Sequence, residues 1–218
     1  MTGNNSSTNN NDNSRTEEVL VLYASQLGTS KRAATAFVQE MATYLSAHAT
    51  SIQELTNSSQ DITVKPTLMT MDDFLEDREA AWTRLVVIFV STYNGVAPKG
   101  GSRFRSLCDT LITYTGIDPT LLSGIKYAIC GLGSSSFTTY FENPMAVNDG
   151  LHAVGATRVG DFGEADMQKR GEDSQRHVIA RWKQGIWKEL AQVLIEESLP
   201  PGRLLEMQAA TRSIKYKY

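Results

Sequence analysis

Residues 85–91, LVVIFVS, set six apolar side chains in succession. A run of that length with no polar face has to be covered on both sides, the position of an inner strand in a parallel sheet. VLVLYA (19–24) and KYAIC (126–130) have the same character. Between them the pattern changes period. Ala33, Phe37, Met41, Tyr44, Leu45 and His48 recur at steps of three and four, which predicts a helix with one buried stripe. Further helices are expected over 104–114, over 144–154 with Pro144 in the first turn, and over 176–196 with Trp182 and Trp187. TNSSQ (56–60) breaks the first helix, ITVKP (62–66) reads as a short strand ended by Pro66, and TRVGDFG (157–163) as a weaker fifth strand. Strand and helix thus alternate, the pattern of an α/β domain with a five-stranded parallel sheet and helices on both faces.

Composition bounds what such a domain does. With 218 residues the chain has room for one well-packed core plus tails. Twenty-one lysines and arginines stand against 24 acidic residues, a formal charge of -3, so there is no global field for nucleic acid and no direct nucleic-acid partner is expected. Residues 1–17 are polar and asparagine-rich, expected to be a disordered tail rather than a leader or an anchor. No segment has the length and apolarity of a membrane span, so no membrane partner is expected. Cys108 and Cys130 fall in a predicted helix and a predicted strand, which argues against a disulfide and for a reducing, cytoplasmic setting. The domain is expected over 18–195, with 196–218 as a C-terminal extension set off by Pro200 and Pro201.

In an open parallel sheet, ligands bind beyond the carboxyl ends of the strands, so the loops after strands 1, 3 and 4 carry the chemistry. SQLGTS offers the hydroxyls of Ser25, Thr29 and Ser30, a bend at Gly28 and backbone amides opening a helix. Read alone, it fits either a helix N-cap or a phosphate site. It is no Walker loop, lacking Gly-Lys-Ser/Thr at the required spacing. STYN (91–94) puts Tyr93 just past a buried strand, and SSSFTTYF (134–141) puts Phe137, Tyr140 and Phe141 past another. Exposed rings at that edge suit a flat heterocycle, and with a phosphate loop they suggest a mononucleotide. GLGSSS carries Gly131 and Gly133 at dinucleotide spacing, with Ser136 at the third glycine, but after the wrong strand. MDDFLEDREA (71–80) reads either as a solvated helix surface or as an acidic docking face. The three histidines have no metal-ligand spacing.

Taken together, these loops resemble the flavodoxin-like FMN domain of the diflavin reductases, the family of cytochrome P450 reductase and sulfite reductase flavoprotein. YASQLGTSKR resembles its Y-G-S-Q-T-G-T-A loop, VSTYNGVAPKGG its A-T-Y-G-x-G-D-P loop, and LSGIKYAICGLGSSSFTTYF its L-x-G-x-K-x-A-V-F-G-L-G-N-x-x-Y-x-x-F segment. The match runs over about 19–194. It is also similar to the flavodoxin-like half of the radical enzyme of wybutosine synthesis, which modifies tRNA, so that reading stays open.

The resemblance implies a flavodoxin-like three-layer sandwich with strand order 2-1-3-4-5, and FMN as cofactor. Ser25, Gln26, Gly28, Thr29 and Ser30 would hold the phosphate. Tyr93 and Phe137 would stack on the ring, with Phe141 beside them. Ser91, Thr92, Asn94, Gly131, Leu132, Gly133 and Ser134 would border the ring edge, and Asp166 would lie near it. No catalytic acid or base is implied. The implied partners are an FAD- and NADPH-dependent reductase and a haem or iron–sulfur acceptor receiving single electrons. The sequence departs from the family at Leu27, where a hydroxyl contact worth ~1.5–3 kcal/mol is lost, at Gly95, one place early with Val96 behind it, and at Phe137, which lacks a hydroxyl. These departures define the alternative of a non-redox adaptor with a degenerate FMN site.

Overall fold

A computed structural model describes residues 14–56, 61–196 and 199–215. The polar tail up to residue 13, the break at 57–60, and residues 197–198 and 216–218 of the extension lie outside the described residues. Strand β1 (Ser14–Ala24) leads into helix α1 (Thr29–Thr56), followed by β2 (Asp61–Thr70), α2 (Met71–Glu76), β3 (Leu85–Ser91) and α3 (Ser102–Thr113). β4 (Lys126–Gly133), α4 (Glu142–Ala153), β5 (Thr157–Arg158), β6 (Gly163–Asp166), α5 (Gln175–Ile195) and α6 (Pro201–Ser213) complete the chain. The sheet runs β2-β1-β3-β4-β5, with β6 also on β4, and every ladder is parallel. This is the expected flavodoxin-like α/β order.

The period of two in the strands explains the three layers. Val19 and Val21 of β1, Val87 and Phe89 of β3, and Ala128 and Cys130 of β4 face α1 and α5, where Phe37 stacks on Trp187 with centroids 4.3 Å apart. Leu20 and Leu22, Val86 and Ile88, and Tyr127 and Ile129 face the other way, onto α2, α3 and α4. Both faces being covered, the apolar runs carry no polar alternation. Trp182 and Trp187 are both buried against the first face.

β4 runs on to Gly133, and three further boundaries differ from the sequence reading in ways that bear on the fold. β2 does not stop at Pro66 but runs on to Thr70, with Pro66 opposite Val19. It is an edge strand, where a residue with no N–H is tolerated on the open side. The fifth strand is two pieces: Thr157–Arg158 pairs with the start of β4 and Gly163–Asp166 with its end, and the chain swings out between them through Gly160 at φ +64. β1 starts at Ser14, inside the segment read as tail, because residues 14–18 pair with 61–65. The C-terminal extension also packs onto the domain: Met207 is buried, Trp82 Nε1 donates to Thr211 Oγ1 at 3.1 Å, and Arg212 donates to the Ala80 carbonyl at 2.9 Å.

Candidate functional site

At the carboxyl edge of the sheet, where β1 and β3 lie side by side and their outgoing connections diverge, a cavity of about 280 Å³ opens. Ser25, Gln26, Leu27, Thr29 and Ser30 line it from the β1–α1 loop, Ser91, Thr92, Tyr93 and Asn94 from the end of β3 and the loop behind it, and Leu132, Gly133, Ser134 and Phe137 from the β4–α4 side. Met167 and Gln175, which sequence reasoning passes over, close the remaining side. They reach it because β6 pairs with the end of β4, and Met167 N donates to Gly133 O at 2.8 Å.

The β1–α1 loop is fastened to the β3–α3 loop. Ser25 N donates to Lys99 O, and Lys99 N to Gln26 Oε1, both at 3.1 Å. Gly28 turns the chain at φ +85, where a Cβ would meet Arg32 Nη1 at 3.1 Å. Helix α1 then begins with Thr29, Ser30, Lys31 and Arg32 and has no acid in its first turn. Ser30 Oγ is buried with no hydrogen-bond partner, although it lines the cavity. A buried hydroxyl left unmatched at a helix N-terminus suits an anion that would accept from it and from the free amides of the first turn. A phosphomonoester fits there.

On the β3 side, Tyr93 and Val96 form an isolated antiparallel bridge across Asn94 at φ 48 and Gly95 at φ 77. Two positive φ values over an Asn-Gly pair make the tight two-residue hairpin turn these residues favour. The displaced glycine therefore serves a turn of its own. Asn143 fixes the loop's root, donating through Nδ2 to Ser91 O at 2.8 Å and through its backbone N to Thr92 Oγ1 at 3.1 Å. On the β4 side, Gln168 Nε2 donates to Ser134 Oγ at 2.9 Å, and Ser134 Oγ lies 2.7 Å from Ser136 Oγ.

Gly28, Gly131, Phe141 and Asp166 are not among the lining residues. Gly131 lies under Phe141, where a Cβ would come within 2.5 Å of the ring, and Phe141 is buried edge-on to Tyr140. Asp166 sits behind the β4–α4 loop and accepts from Ser135 N and Gln168 N, both at 3.0 Å. Desolvation works against its charge, but those N–H bonds and nearby Lys169 prevail and hold the carboxyl below the usual range. Burial and the charges of Asp166 and Glu164 push the Tyr140 hydroxyl up to about 12.

Part of the acidic run is engaged within the fold, while Asp73, Glu76, Asp77 and Glu79 are exposed. The Asp72 carboxylate accepts from the backbone N–H groups of Ser102, Arg103 and Phe104 at the start of α3, each at 3.0 Å. Glu76 pairs with Arg103, and Asp77 Oδ1 accepts from Glu79 N. His48 and His177 bond to nearby backbone carbonyls, Tyr44 O and Gly171 O, away from the cavity lining.

The flavodoxin family model matches residues 53–180, more than half of the chain. NADPH-dependent diflavin oxidoreductase 1 of Aspergillus fumigatus is 27% identical over 205 residues, 89% of this chain and 29% of that protein. NADPH–cytochrome P450 reductase of Saccharomyces cerevisiae is 27% identical over 173 residues, 78% of this chain and 21% of that protein. The chain thus spans less than a third of the length of these curated relatives. Among solved structures, an oxidoreductase from Corynebacterium diphtheriae superposes with a TM-score of 0.53 at 13% identity, covering 84% of this chain and 99% of its own. A flavodoxin variant from Pseudomonas aeruginosa does so with a TM-score of 0.50 at 17% identity, covering 82% and 99%. At those identities the superpositions speak for the fold. With the family model matched from the end of α1 into α5, the chain belongs to the flavodoxin family, an FMN-binding, electron-transferring domain.

Proposed function

We propose that this chain is the FMN module of an electron-transfer system, taking electrons from an FAD- and NADPH-dependent reductase and passing them singly to an iron centre, haem or iron–sulfur. The observation that carries the reading is the unpartnered Ser30 hydroxyl, buried in the wall of a cavity that also exposes the Tyr93 and Phe137 rings. In this reading the amides opening α1, with the Thr29 and Ser30 hydroxyls, hold the phosphate. Tyr93 and Phe137 flank the planar ring, and the backbone of 92–94 and 132–134 borders its edge. Gln26, bonded through its side chain to Lys99 N, keeps the phosphate loop in place. FMN, when bound, supplies the change from two-electron to one-electron chemistry. The protein's part is to bind, orient and screen, with neither histidine nor cysteine in the cavity lining. Among the relatives, the names that include NADPH and reductase or oxidoreductase support a reductase partner of this type.

The test is the visible spectrum of the FMN-loaded protein under NADPH. Bleaching only after a FAD-containing NADPH reductase is added is the expected result. Bleaching by NADPH alone would assign a self-sufficient flavin enzyme instead, and a colourless protein that ignores excess FMN would leave the adaptor reading.

A further inference from the structure

A second cavity, of about 350 Å³, lies at the other edge of the sheet, beside the entry of β3, and shares no lining residue with the FMN site. Trp82 and Arg84, from the connection into β3, form one side of it. Leu199, Pro201, Leu204 and Leu205, from the C-terminal segment, form the other, and Leu205 is 61% exposed, so the apolar wall opens to solvent.

Arg84 is 5% exposed, and its Nε and Nη1 have no hydrogen-bond partner. Its remaining nitrogen, Nη2, donates to Leu194 O at 3.2 Å and lies 3.6 Å from Glu17 Oε2. Desolvation is the largest influence on the guanidinium and lowers its pKa; the charge of Glu17 opposes that without cancelling it. A buried guanidinium with two unmatched nitrogens burdens the fold until an acceptor arrives. Helix α6 begins at the same cavity, with no acid and no side-chain cap in its first turn. Pro201 has no N–H, and Pro200 O takes those of Arg203 and Leu204, which leaves Gly202 N unmatched among the described residues. A Cβ on Gly202 would meet nothing within 4 Å, so its surroundings are open. A side chain and a helix N-terminus thus bring unmatched donors to one apolar-walled space.

The charges nearby limit what fits. Arg15 and Arg84 share the buried carboxylate of Glu17, with Arg15 Nε 2.9 Å from Glu17 Oε1. Glu18, also in the wall, is exposed and paired with Lys65 at 2.9 Å, and Glu196 is exposed. The buried layer therefore carries one positive charge in excess. A single carboxylate neutralises it, whereas a phosphate dianion beside Glu17 and Glu18 would overshoot.

We infer that this cavity is a binding site for a small monocarboxylate with an apolar body. The carboxylate accepts from Arg84 and from Gly202 N, and the body lies along Trp82, Leu204 and Leu205. The volume is that of a small-ligand site, and the mixture of apolar walls with a few placed donors is the usual composition of one.

The test titrates the full chain, with FMN added, with octanoate, octanol and octyl phosphate, which share a tail and differ in the head. Calorimetry gives the affinities, and amide and arginine Nε–H signals give the place. Octanoate should saturate at one per chain with a Kd below about 1 mM, and octanol and octyl phosphate should bind at least about tenfold more weakly. Octanoate should shift the signals of Gly202 and of Arg84 Nε–H and leave that of Ser30 in place. Leu205→Glu, at an exposed helix position, should keep the fold and weaken octanoate at least about tenfold by setting a carboxylate against it. Arg84→Lys, which keeps a charge facing Glu17 but loses the Nε donor, should weaken it likewise. Octanol binding as well as octanoate would reduce the cavity to an apolar groove, and tighter octyl phosphate would overturn the single-charge argument. Binding that never saturates, shifts confined to the FMN cavity, or unchanged affinity in either variant would overturn the site. Failure to take up FMN shows separately, as a colourless protein, and leaves the octanoate readout intact.

Discussion

Tyr93 and Val96 exchange both of their backbone hydrogen bonds, N to O at 3.0 Å in each direction, across the Asn94-Gly95 turn. The ring of Tyr93 is thereby held at the cavity by a closed hairpin. Gly95 is doubly constrained, by φ +77 and by Thr139 Cγ2, which a Cβ would meet at 3.1 Å. Gly95→Val should cost about 1–3 kcal/mol in unfolding free energy, and FMN affinity should fall at least about tenfold. Asn94→Gly, which keeps both positive φ values available, should leave affinity within about threefold. Urea unfolding and fluorescence titration check both, and equal losses for the two variants would mean that the turn does not set the ring.

Ser30 makes a test in which stability and binding part company. Removing an unmatched buried hydroxyl relieves a desolvation penalty of about 1–3 kcal/mol, so cofactor-free Ser30→Ala should be as stable as the original or more so. FMN affinity should nevertheless fall about tenfold, since a hydrogen bond to a charged phosphate is lost. A loss of stability without loss of affinity would make Ser30 a structural cap.

Asp72 should matter to folding, because its carboxylate serves three N–H groups at the start of α3 from a helix some 30 residues away. Asp72→Ala should destabilise the protein by about 1–2 kcal/mol in urea unfolding, the range for a lost helix cap. A change of a few tenths of a kcal/mol would show that water replaces the cap.

Asp166 gives a pH signature. Its folded-state pKa lies below the ordinary carboxylate value, so its contribution to stability is present above about pH 4 and is lost as pH falls through the folded value. The stability gap between the original protein and Asp166→Asn should therefore be constant near neutrality and shrink in acid. A gap that widens as pH falls would give the shift the opposite sign.

Sequence made the inner strands legible because burial on both faces removes polar alternation, as at Val21 and Leu22, which are both fully buried on opposite sides. Pro66 misleads because its acceptability depends on which side of β2 is unpaired, a property of the sheet rather than of the local sequence. The division of the fifth strand likewise depends on the swing through Gly160. In the site, hydroxyls around Gly28 and rings after β3 and β4 are readable as chemistry. Met167 and Gln175 are not, since the pairing of β6 with β4 brings their connection alongside. The role of Asp72 was hidden for the same reason: α3's N-terminus becomes its neighbour only in three dimensions.

Parallel titration of the cofactor-free protein with FMN and with riboflavin, followed by flavin fluorescence, tests the phosphate-and-ring cavity most directly. The expected result is one FMN per chain, with riboflavin at least about a hundredfold weaker, as an anion site using several charge-assisted hydrogen bonds requires. Equal affinities for the two, or no uptake of either at millimolar concentration, would contradict it.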